Sequence, residues 1–131
     1  MQMLLAKIAS PEFRRSLDKI SAQELPIRAM FRLKGIVKRL REEMKTYDEF
    51  QAERAVKYAT KDLETQKPIV DMKKSGVNYY RMEHEAMLHF TAEMGELAKT
   101  EIEVPEFPIS ELGPVSLTTD DLLALEFLID G

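Results

Sequence analysis

A chain of 131 residues, 44% hydrophobic and 32% charged, holds enough apolar material for one buried core and too much charge for a membrane-spanning protein. Its formal charge of −4 is unevenly spread: residues 1–61 carry 14 Lys/Arg against 8 Asp/Glu, and residues 62–131 carry 5 against 15. The lack of cysteine excludes disulfides, thiol catalysis and thiolate metal sites, and the acidic sum disfavours nucleic acid as a partner.

The first segment, Met1-Gln-Met-Leu-Leu-Ala-Lys-Ile, lacks the long apolar region of a secretory signal, so no signal-peptide secretion is expected. Ser10-Pro11-Glu12 reads as a helix start, since serine accepts from the first free amides and proline is tolerated at the first helical position. That helix is expected to reach about Ile20. Leu25-Pro26 breaks the chain and opens a second helix. In it Ala29, Met30, Leu33, Ile36, Val37, Leu40, Met44 and Tyr47 form one stripe at about 100° per residue. No proline follows until Pro68, so the helix is predicted to run through Tyr58, roughly 45 Å or more at 1.5 Å per residue. Such a length predicts either a bend near Thr46–Asp48 or pairing with another chain.

Residues 61–76 read as a flexible loop or linker, polar and ending on glycine, inside one domain that spans 1–131. Val77-Asn-Tyr-Tyr has strand composition. A helix is expected over Glu83–Lys99, burying Ala86, Met87, Phe90, Met94, Leu97 and Ala98. Glu101-Ile-Glu-Val alternates as a strand does, and a third strand is expected near 115–117. Thr118 and Asp121 stand at capping-box spacing before a last helix, Leu122–Ile129, which is apolar nearly all round. Interrupted by Glu126, this run is too short to cross a bilayer, and no membrane partner is expected. The fold class predicted is α+β, mostly α: a long amphipathic N-terminal helix packed with two shorter helices and a small two- or three-stranded β element.

The chemistry-bearing residues are few. His84 and His89 are five apart, about 140° around a helix, so one metal cannot take both. Glu85, His89, Glu93 and Glu96 share one polar face and are the candidate metal ligands, hard donors suited to Mg²⁺. Glutamates on a solvated helix face give the same pattern, so no metal or other cofactor and no catalytic residue is assigned. The cations Arg28, Arg32, Lys34, Lys38, Arg39 and Arg41 split into two stripes flanking the apolar face, the usual placement of long cationic stems beside a buried helix face. Ile27 and Phe31 lie opposite that apolar face. With Leu122, Leu125, Phe127 and Leu128 of the last helix, they are the candidate interface residues.

Two resemblances add to this. Glu93-Met-Gly-Glu96 resembles the E-x-x-E segment of the all-helical nucleoside triphosphate pyrophosphohydrolases, which implies Mg²⁺-dependent nucleotide hydrolysis. The second acidic segment of that family is missing, because Glu126 and Asp130 are spaced by four rather than three. Over nearly its whole length the chain resembles a family of small proteins of unknown function encoded by tailed bacteriophages. The resemblance rests on the order of features: Leu25-Pro26 opening a long basic helix to Tyr58, a helix ending Glu96-Leu97, the strand Glu101-Ile-Glu-Val, Pro108-Ile-Ser-Glu-Leu, and the ending Leu117-Thr-Thr-Asp-Asp-Leu-Leu-Ala-Leu-Glu-Phe-Leu-Ile. It implies a phage origin and a virion, assembly or host-takeover role, in the virion or the host cytoplasm. With no catalytic residue assigned, the leading expectation is a non-enzymatic protein that works by contact. The expected partner is itself, as a homo-oligomer, or another phage or host protein. A small acidic inhibitor of a host defence or nucleic-acid-handling protein is the alternative binding role.

Overall fold

In the computed structural model, which describes residues 1–130, the elements follow in the order β1 (Gln2–Leu4), α1 (Leu5–Ile8), α2 (Pro11–Ser21), α3 (Ile27–Tyr58), β2 (Val70–Lys74), β3 (Val77–Tyr80), α4 (His84–Ala98), β4 (Glu101–Glu103), β5 (Phe107–Pro108), a 3₁₀ turn at Ile109–Leu112, α5 (Thr119–Ala124) and β6 (Leu128–Ile129). The fold class is α+β, mostly α, as the sequence predicts. Two compact units are formed, residues 1–45 with 98–130, and Thr46–Leu97. The long helix contributes to both. It is helical without a break across Thr46–Asp48, and the boundary between the units falls inside it.

The first unit holds almost all of the core. Ser10 caps α2 by accepting from the Phe13 amide at 3.3 Å, and Phe13, Leu17 and Ile20 then recur at helical spacing on the buried side. Ala29, Leu33, Ile36, Val37, Leu40 and Met44 of α3 are buried against them. The C-terminal segment closes the core with Val104, Phe107, Leu112, Leu125, Phe127 and Leu128. Each of these large side chains removed from water contributes roughly 1.5–3 kcal/mol before the entropy of ordering is subtracted. β1 pairs antiparallel with β4, Met3 opposite Ile102, and β5 pairs in parallel with β6. Gly113 follows the 3₁₀ turn at φ +69°, left-handed backbone that favours glycine, beside the Pro26 ring.

The C-terminus departs from expectation. The Thr118–Asp121 capping box forms, but α5 stops at Ala124 instead of running to Ile129. Leu125 takes φ −89°, ψ 68°, and the chain straightens into β6, the Phe127 carbonyl accepting from the Phe107 amide at 2.8 Å. On a continuing helix Leu125, Phe127 and Leu128 would fan out at about 100° per residue, and no single side could bury all three. Leaving the helix lets each reach the core. Nor is there a strand at 115–117: Val115 and Leu117 pack on the core as irregular chain.

The second unit is built from hydrogen bonds more than from burial. Among the described residues its buried hydrophobic side chains are Ala59 and Met94. Residues 61–76, expected as loop or linker, contain β2 and the turn of a hairpin with β3. Ser75 and Gly76 sit at φ 54° and 78°, and Lys74 faces Val77, a two-residue turn whose twist matches the strands. Backbone bonds from Thr60 to Arg81, Arg81 to Ile69 and Ile69 to Thr60 tie the hairpin base. The Asp62 carboxylate accepts from the Thr65 and Glu64 amides, which holds its pKa below the ordinary value. α4 is one residue shorter at each end than predicted. Met94 is its buried residue, Ala86, Phe90, Leu97 and Ala98 are half-buried, and Met87, expected inside, faces out.

Candidate functional site

α3 begins just after Pro26, and its first turns present two faces. Ala29 and Leu33 turn into the core of the first unit. Ile27 and Phe31, one turn apart, stand on the other side at 78% and 81% exposure, with Met30 beside them also exposed. Arg28, Arg32 and Lys34 border this apolar surface, and Lys38 and Arg39 continue the cationic flank along the helix. Arg32 is anchored: its guanidinium bonds the Glu111 carboxylate and lies 5.0 Å from the centre of the Phe107 ring. Arg28, Lys34, Lys38 and Arg39 have no ion pair among the described residues. An apolar surface in contact with water and fenced by unpaired cations is the form of a docking surface.

The remaining interface candidates divide. Leu125, Phe127 and Leu128 are buried, Phe127 against Phe13 with ring centroids 6.4 Å apart, so they hold the core and offer no surface. Leu122 is half-buried against the same core. Its neighbour Leu123, which the sequence did not single out, is the exposed leucine of α5.

The metal candidates are not gathered. Glu93 faces Arg54 and Tyr58 of α3: Arg54 donates to both carboxylate oxygens, its Nε to Oε2 at 2.7 Å, and the Tyr58 hydroxyl donates to Oε1 at 2.8 Å. These bonds, from Arg54 first and Tyr58 second, pull the Glu93 pKa from its ordinary 4.5 to about 2. The same contacts raise the pKa of Arg54 and of Tyr58. His89 stacks on the Tyr58 ring, 6.3 Å between centroids and 11° between planes. Glu85 and Glu96 face solvent. Among the described residues no three His, Asp or Glu side chains stand together as a metal-binding group. A carboxylate already shared by a guanidinium and a phenol is a poor ligand, because a cation would have to displace Arg54.

Sequence reasoning missed a buried constellation on the first unit. Asp121 accepts from the Ser16 hydroxyl at 2.9 Å, the Lys19 ammonium at 2.6 Å and the Thr118 amide at 2.9 Å. Lys19 foremost, then the Thr118 amide, holds its pKa well below the carboxylate range. Although serine, lysine and aspartate meet here, Ser16 donates to a carboxylate too weakly basic to take its proton. The group clamps α2 to α5. Ser16 and Lys19 at i and i+3 on one helix face were the available signal.

No family model matches the chain, and no curated protein and no solved structure matches it either. No helix among the described residues is long and apolar enough to cross a membrane.

Proposed function

We propose that this chain is a bacteriophage protein that works by protein–protein contact and carries out no reaction, a virion or assembly component that associates with itself. The observation that carries this reading is the outward face of α3, where Ile27 and Phe31 stand in water among unpaired cations. Two exposed apolar side chains one turn apart form a contiguous surface that a second protein can dry. The second unit adds support. With so few buried side chains it leaves Val70, Met72, Val77 and Tyr79 of the hairpin and Met87 and Leu88 of α4 exposed, apolar surface that a partner can cover. The phage assignment rests on the whole-chain resemblance.

Nucleotide hydrolysis is not proposed, since it needs Glu93 free beside Glu96 and Glu93 is committed to Arg54. Phe31→Glu tests the contact reading. Its circular dichroism and melting are expected to match the parent, because an exposed substitution shifts stability by about 0.5 kcal/mol or less. Its native mass by light scattering is expected to fall to that of one chain. An unchanged mass would remove α3 as the contact surface.

A further inference from the structure

Two copies meeting through the same α3 face would set Arg28, Lys34, Lys38 and Arg39 of one against those of the other. From Pro26 to Arg41 the helix carries no acid to relieve them. A twofold contact of this kind opposes like charges, and its hydrophobic gain is offset by bringing them together. The face needs an acidic apolar occupant. The chain holds one.

From Glu83 to Ala98 the sequence contains no lysine or arginine and four glutamates, of which, among the described residues, only Glu93 is paired. With Met94 turned inward, the opposite side of α4 presents Leu88, 57% exposed, then Ala92 and Gly95 at one and two turns, between Glu85 and Glu96. The two helix faces match in charge, cations around Phe31 on the one and glutamates near Leu88 on the other. We propose that copies of this chain associate head to tail, the basic α3 face around Phe31 of one receiving the acidic α4 face around Leu88 of the next. This rests on the self-association reading above and names the surface that completes it. A contact between unlike faces closes as a reciprocal dimer or a ring, or extends as a filament.

Two variants and their mixture test it. Phe31→Glu sets a carboxylate against Glu85 and Glu96 of the next copy. Leu88→Arg sets a guanidinium against Arg28 and Lys34. Each alone is expected to associate at least about tenfold more weakly than the parent, a loss of about 1.4 kcal/mol or more. An equimolar mixture is expected to regain association, because the intact α3 face of one variant meets the intact α4 face of the other. The readout is light scattering of each variant and of the mixture. If Phe31→Glu dissociates and Leu88→Arg does not, self-association through α3 stands and α4 is not its occupant. Mixtures that stay monomeric overturn the head-to-tail contact. If neither variant changes the mass, both readings fall.

Discussion

Two carboxylates, Asp121 and Glu93, each tie together segments distant in sequence, and both are held ionised by what surrounds them. Asp121 binds Lys19 across 102 positions of sequence and Glu93 binds Arg54 across 39. A carboxylate whose folded pKa lies below its unfolded value contributes stability that is present above the unfolded value and lost as pH falls toward the folded one. For Glu93 that window runs from its ordinary 4.5 down to about 2, and Asp121 adds a loss beginning below its ordinary 3.8. Thermal melting is therefore expected to be flat from neutrality to about pH 4.5 and to fall below it. Glu93→Gln should flatten part of that fall, and a melting temperature constant down to pH 2 would contradict both assignments. Local devices at this scale were legible: the Ser10 cap and the Thr118–Asp121 box each lie within four residues. The long-range pairs were not, because the Ser16–Lys19 spacing marks a polar spot on α2 without naming Asp121 as its partner, and Arg54 carries no mark at all.

At the scale of elements, periodic segments could be read and short ones could not. α3 follows from its stripe of apolar residues, and α2 from its proline and cap. β2 escaped because it is short, only Val70 and Met72 in it are apolar, and every residue is exposed, so it buries no face that would set it apart from the polar run around it. The run after Ala124 escaped because an apolar stretch reads alike as helix or as buried irregular chain. Its correction has a measurable consequence. Phe127→Ala should cost about 3–5 kcal/mol in chemical denaturation, the range for a large aromatic removed from a packed core. Leu123→Ser, two positions after Asp121 on the exposed side of α5, should change stability by no more than about 0.5 kcal/mol. Equal effects would mean that the terminal segment is helical and half exposed after all.

For the whole molecule, the contrast between a basic first half and an acidic second half has a partial internal answer. Lys7 pairs with Glu126, Lys19 with Asp121, Arg32 with Glu111 and Arg54 with Glu93, each joining the basic half to the acidic one. The exposed pairs Lys7–Glu126 and Arg32–Glu111 add little stability individually, unlike the less exposed pairs of Asp121 and Glu93. What they leave over among the described residues is ordered: unpaired cations around Phe31 and unpaired glutamates around Leu88. The sequence pointed to Ile27 and Phe31 because they break the one-sided pattern of α3. It gave no comparable signal for α4, whose outward Leu88 is visible only once Met94 is seen to face inward. The central claim is self-association, and the native mass of the parent protein by light scattering, over a range of dilution and salt, tests it most directly. A mass well above the 15.1 kDa of one chain is expected. It should decrease as salt screens the charged flanks over roughly 8 Å at physiological strength, yet persist in part because the contact is apolar at its centre. A mass of one chain at every concentration and salt would contradict the account.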